Sequence, residues 1–310
     1  MSVPAIKHLI LYLGLFLLFS CKVVRSVDSP ISNLENSCYK HILDYKPNSE
    51  PENLDVDGFS ETASEKLSEN SLFFIRILGL TDDIEYILNE EFEDDLTKFK
   101  KLQKTINQIT LSELEVNAFT SALRCEEDKL EQLAWHLETI NSKTITQKTV
   151  TGIIIDASAN LAGAGIILFF AGGNTTRQLI GVGASLTQIF LNVRGKSITY
   201  TVDVGHSINV LEEFSKDQEW CEVIPKNIWA YVNYVDLKKS GKNIREELMH
   251  AWSETEIEQD KSLYFSEGGT YTSEQLRNRA SMLEQLASLT EGMLQDLLVL
   301  RKEVQALDVN

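Results

Sequence analysis

Residues 149–171 read TVTGIIIDASANLAGAGIILFFA and residues 179–191 read LIGVGASLTQIFL, with Gly172-Gly173-Asn174 between them. The glycine pair followed by asparagine is a strong turn signal. Between Thr149 and Val193 only Asp156 and Arg177 carry charge. Each limb has about 20 residues, enough to cross a bilayer as a helix at about 1.5 Å per residue. Small residues recur inside the limbs: Gly152, Ala159, Ala162, Gly163 and Gly165 on one side, Gly181, Gly183, Ala184 and Ser185 on the other. Small residues let two helices approach closely where lipid offers no hydrophobic drive. The stretch is therefore expected to form the apolar tip, residues 150–192, of a long helical hairpin. Its candidate membrane-contacting residues are Ile153, Ile154, Ile155, Ile166, Ile167, Phe169, Phe170, Leu179, Ile180 and Phe190. Asp156 is the only acid in it and the candidate pH sensor, because desolvation favours the neutral carboxyl. The competing reading makes the same hairpin a soluble core element covered by the terminal helices.

Outward from the tip the pattern is helical. Leu123, Leu130, Leu133, Leu137 and Ile140 form one stripe of an amphipathic helix, with Trp135 and His136 beside it. Ser112 and Glu115 have the spacing of a capping box and predict the helix start. Val193, Tyr200, Val204, Ile208, Leu211 and Phe214 suggest the return limb, so the hairpin is expected over 111–223. Two stretches oppose continuous helix. Thr144-Ile145-Thr146 and Ser197 to Val202 are rich in β-branched residues, alternate like strands, and would face each other as a short ribbon. Cys125 and Cys221 are equidistant in sequence from Gly173, so an antiparallel hairpin predicts a disulfide between them. That leaves the fate of Cys38 open.

The flanks complete an all-α reading: an elongated helical bundle built on the long antiparallel hairpin with its glycine-rich apolar tip. Residues 27–60, with Pro30, Pro47 and Pro51, are expected to be irregular apart from a short helix around Cys38 to Leu43. Residues 61–110 read as acidic N-terminal helices, and the run from Asp82 to Asp95 as a solvated face rather than a calcium loop. Residues 224–310 read as C-terminal helices. The aromatic group from Trp229 to Tyr234 is expected to pack in the core. The last helix opens at Thr272-Ser273-Glu274-Gln275 and shows a near-heptad stripe from Leu276 to Leu307 that can pack within the chain or zip with another.

The first 26 residues look like a secretory signal peptide. Lys7 and His8 precede an eleven-residue apolar run, Leu9 to Phe19, and Val24 and Ser26 suit the −3 and −1 positions of a cut before Val27. The alternative is a lipoprotein signal, since Leu18-Phe19-Ser20-Cys21 resembles a bacterial lipobox with Cys21 as the anchored residue. Removal of residues 1–26 leaves 26 basic and 46 acidic side chains, a net charge of −20. Such a balance argues against a nucleic-acid partner, whose phosphates need a basic face. Three cysteines then remain in an oxidising compartment, where a disulfide is expected.

The sequence holds no nucleophile elbow, phosphate-binding loop or His-Glu-x-x-His, and its histidines are scattered; His206 reads as a surface residue. No enzyme, cofactor or metal site is expected. Residues 123–195 resemble the central region of the apolipoprotein L family. The resemblance is carried by Leu130-Glu131-Gln132-Leu133-Ala134, the entry from Thr144 to Val150, the limb ending at Gly172-Gly173 and the return from Leu179 to Leu186. The resemblance implies secretion, lipid association and membrane-inserting or ion-conducting behaviour. The chain departs from the family in being shorter and in lacking its second apolar hairpin. Secreted α-helical pore-forming toxins are similar in architecture. The expectation is thus a secreted lipid- or membrane-binding helical protein. Its rival is a non-enzymatic interaction module that binds a protein, or itself, through the C-terminal helix.

Overall fold

Ser60 and Ser68 open two short helices by the same device. The Ser60 hydroxyl accepts the backbone N–H of Ala63 at 3.1 Å, and the Ser68 hydroxyl that of Ser71 at 3.3 Å. Each satisfies a donor that a helix N-terminus leaves free. The computed structural model describes residues 23–28, 38–39, 58–89, 94–169, 198–234 and 241–307, with side chains for all but 23, 145–169 and 198. Helix α1 is Glu61–Lys66, α2 is Glu69–Ile77 and α3 is Thr81–Leu88. Leu72, Phe73, Phe74, Ile75 and Ile77 of α2 are all buried, as befits a helix apolar nearly all round. Gly79 (φ 63°) ends α2. Its N–H meets the Arg76 carbonyl at 3.0 Å and that of Leu80 the Ile75 carbonyl at 2.9 Å, a Schellman ending. The acidic run is not wholly solvated: Asp83 is buried and takes Lys101 at 2.6 Å and Lys104 at 2.7 Å.

The chain is mainly helical, as the periodicity predicts: 74% of the described residues are in helices. Helix α4, Asp95–Phe169, is 75 residues long. It starts well before Ser112, at Asp94, whose carboxylate accepts the N–H of Thr97 at 3.4 Å. Ser112 and Glu115 lie inside α4. Instead of capping it they share one partner, since Asn227 Nδ2 donates to Ser112 Oγ and to Glu115 Oε2, each at 2.7 Å. Of the predicted stripe, Leu123, Leu130, Leu133 and Leu137 are buried, while Trp135 is 65% exposed.

Two compact units divide the chain. One comprises Met1–Pro30, Leu133–Asp203 and Thr270–Glu274; the other comprises Ile31–Gln132, Val204–Gly269 and Gln275–Asn310. In the second, α4 packs against the C-terminal helix α9, Ser273–Ala306, in antiparallel fashion. Arg124 meets Glu291 at 2.8 Å and, further along, Arg301 meets Glu113 at 3.3 Å. Leu276, Leu283, Leu286, Met293, Leu297, Leu300 and Val304 of the predicted C-terminal stripe are all buried. Trp229 and Val232 of α6, Lys226–Asn233, are buried too, and the Phe74 and Tyr231 rings lie 5.7 Å apart. The described residues also form helices α5, Val210–Ser215, α7, Ile244–Ser253, and α8, Lys261–Tyr264.

The predicted return limb is corrected. Residues 198–205 form strand β2, Ile198–Gly205, where continuous helix is expected. Ile198, Thr199, Thr201, Val202 and Val204 are β-branched, and their rotamers suit a pleated surface better than a helix. The anticipated ribbon partner, 144–146, remains in α4. Strand β2 instead lies in a three-stranded sheet ordered β1-β2-β3, between β1, Val23–Ser26, and β3, Gly268–Thr272. Strand β1 runs parallel to β2, with Val23 opposite Ile198 and Ser26 opposite Thr201. Gly268 (φ 112°) is obligatory, because a Cβ there would stand 2.2 Å from the Val204 carbonyl oxygen.

Candidate functional site

Two charged residues occupy seam positions where the helical pattern calls for leucine. Glu126 falls in register with Leu123, Leu130 and Leu133 on α4, and Arg279 with Leu276, Leu283 and Leu286 on α9. Both are buried. The guanidinium donates from Nη2 and Nε to Glu126 Oε1 at 2.8 and 3.2 Å, from Nη1 to the Tyr264 carbonyl at 2.8 Å, and from Nη2 to Asn209 Oδ1 at 3.1 Å. The second carboxylate oxygen of Glu126 accepts the Tyr39 hydroxyl at 2.7 Å. Desolvating two charges costs several kcal/mol per ion, and such a pair persists only when the remaining hydrogen-bond capacity is filled, as here.

The partners come from separate elements. Asn209 caps α5, accepting the N–H of Glu212 at 3.2 Å, while its amide donates to the carbonyls of Tyr264 and Ser266 at 2.8 and 2.7 Å. His206, at the end of β2, has Nδ1 3.9 Å from Glu126 Oε1, with its side chain 1% exposed. The histidine expected at the surface therefore sits in the core. Burial, and then the Arg279 charge, hold its imidazole down to about 3, so it is neutral at physiological pH. Burial, reinforced by the Glu126 charge, pushes the Tyr39 hydroxyl well above its ordinary value and keeps it a donor.

A disulfide closes the cluster, and it is not the predicted one. Cys38 bonds Cys125, with Cα atoms 5.8 Å apart, and Cys221 is free. The equidistance rule fails because the part of α4 beside Cys125 faces α9, with Arg124 on Glu291 and Glu126 on Arg279, and not the segment around Cys221. Each bonded cysteine is the sequence neighbour of a cluster member, Cys38 of Tyr39 and Cys125 of Glu126, so the bridge fastens the Tyr39–Glu126 contact covalently. Cys221 is buried, its Sγ 3.9 Å from Glu213 Oε2. Burial raises its thiol pKa and disfavours the reactive thiolate. An open cavity of about 470 Å³ lies nearby, lined by Glu213, Lys216, Glu219, Trp220 and Glu222.

The cluster is closed to solvent, and the side chains of Tyr39, Glu126, Arg279 and Asn209 are linked by hydrogen bonds. Its chemistry is that of a structural node that fixes the pairing of α4 and α9. Among the described residues no group of His, Cys, Asp and Glu is placed to hold a metal ion. A charge of each sign at a stripe position on two helices was the sequence signal for this node. Of the predicted contact residues, Ile153, Ile154, Ile155, Asp156, Ile166, Ile167 and Phe169 lie on the α4 backbone, with side chains outside the described set. Phe170, Leu179, Ile180 and Phe190 lie outside the described residues. Among residues with described side chains, no helix is long and apolar enough to cross a membrane. No family model, curated protein or solved structure matches this chain.

Proposed function

We propose that the chain is a secreted helical protein that contacts a lipid membrane through residues 150–192. One observation carries the reading: α4 is unbroken from Asp95 to Phe169, so the apolar small-residue limb continues the helix that the buried node holds. Its residues 150–169 cover about 30 Å at the helical rise, the thickness of a bilayer's hydrocarbon core. Acid favours the contact on two counts. Protonation of Asp156 removes a charge that is costly in lipid, and the buried neutral His206 makes the helical core less stable as pH falls.

The test is flotation of the oxidised protein with liposomes at about pH 5 and about pH 7.5, where stronger binding in acid is expected from carboxyl protonation. Ile167→Glu with Phe170→Glu should abolish binding and leave the helical circular dichroism intact, and Asp156→Asn should move the transition toward neutral pH. Binding that is equal at both pH values and survives these changes excludes the tip. The second reading, an interaction module, is favoured by Leu289, Leu298 and Val299, which are 36–48% exposed on α9. Light scattering that shows a Leu298→Glu-sensitive dimer, with no flotation, would establish it instead.

A further inference from the structure

Strand β1 lies inside the segment that the −3/−1 rule assigns to the leader. A cut before Val27 would remove all four of its residues. It would also sever the bond from the Val27 N–H to the Thr201 carbonyl, 2.9 Å long, from its strand. Strand β2 is the middle strand of the sheet; without β1 it becomes an edge, and the sheet a two-stranded ribbon. Two-stranded ribbons are marginal, and an uncovered edge is a template for aggregation. The exposure of β1 fits a protecting edge strand: Val24, Arg25 and Ser26 are exposed, so it is held by backbone pairing and faces water with a cation, one of the devices that blunt sheet edges.

A second candidate bond lies just upstream. Ser20 is small, as the −1 position requires, and directly follows the apolar run from Leu9 to Phe19, while Leu18-Phe19-Ser20-Cys21 has the lipobox spelling. We propose that leader processing hydrolyses the Ser20–Cys21 bond, so that the mature chain begins at Cys21 and keeps β1. The carbonyl carbon of Ser20 takes the water oxygen, the C–N bond breaks, and the amine of Cys21 takes the proton. The mature chain then also retains Lys22 and Arg25, and its cysteines number four rather than three.

The experiment expresses the full chain in a host that exports it and identifies the N-terminal peptide of the mature protein by mass spectrometry. The expected peptide starts at Cys21, with a free amine or with added acyl mass; the second form marks a lipid-anchored product, and either upholds the cut. Ser20→Tyr should accumulate uncleaved precursor, whereas Ser26→Tyr should be processed like the natural chain. Both variants are read by size on an immunoblot, which does not depend on folding. A mature chain that starts at Val27, or anywhere else beyond Cys21, overturns the proposal. So does a block by Ser26→Tyr with normal processing of Ser20→Tyr.

Discussion

Two residues apart on α4, Arg124 and Glu126 each form an ion pair with α9 at 2.8 Å. Arg124 and Glu291 are 51% and 40% exposed, while Arg279 and Glu126 are 0% and 5% exposed. Equal distances hide unequal consequences. Water and salt screen the outer pair, and its two long side chains give up rotamer freedom to meet. The inner pair has little solvent to fall back on, so loss of either partner leaves a charge stranded in the core. What separates the two is where each residue falls on the helical stripe.

The largest expected effect tests the inner pair. Arg279→Leu should cost about 3–5 kcal/mol in urea unfolding, because Glu126 keeps its charge without its main partner. The double change Glu126→Leu with Arg279→Leu should recover most of that loss. A single-variant cost below about 1 kcal/mol would put the inner pair in the same class as the outer one.

Next comes the bridge. Cys38→Ser opens a loop of 87 residues in sequence separation and should cost about 2–4 kcal/mol on the chain-entropy account. Peptide mapping without reductant should recover Cys38 linked to Cys125, with Cys221 alkylated only after denaturation.

At about pH 5.5, one unit below the ordinary histidine value, a smaller effect of about 1.4 kcal/mol follows. The His206 pKa lies at about 3 in the folded protein, below the ordinary 6.5. The unfolded chain therefore binds the proton first as pH falls. Stability is retained above pH 6.5 and lost between 6.5 and about 3, by up to about 1.4 kcal/mol per pH unit from this group. His206→Gln should flatten the acid limb of the stability curve relative to the natural chain; identical slopes would remove His206 as its cause. Smallest of all, Arg124→Ala should change stability by less than about 1 kcal/mol, and the difference should shrink in high salt.

The stripes were legible because they are local. Leu276 to Val304 and Leu123 to Leu137 announce their faces through spacing alone, and both faces are buried where the period places them. The spacing of Ser112 and Glu115 suits a capping box equally well as two side chains one turn apart that share a partner; only Asn227, distant in sequence, distinguishes them. The β2 segment is strand-like in composition, but its strand partners are not legible, since pairing with residues 23–26 and 268–272 leaves no local trace. The disulfide failed for the same reason. Its register supposes a hairpin in which the segment around Cys221 faces Cys125, whereas the part of α4 beside Cys125 faces the helix that starts at Ser273.

The position of the Cys38–Cys125 bridge has a consequence for the order in which the molecule is made. Chains emerge from the N-terminus, and early segments can fold before late ones exist. Cys38 and Cys125 both emerge ahead of Cys221, and Tyr39 and Glu126 ahead of Arg279. The native pair can therefore close on an unfinished chain, before Cys221 is present to compete. When the last helix arrives it delivers Arg279 to a carboxylate already held in place. Timing along the ribosome thus does for this bridge what geometry alone does not: it favours the native partner over Cys221 before the rest of the fold can choose.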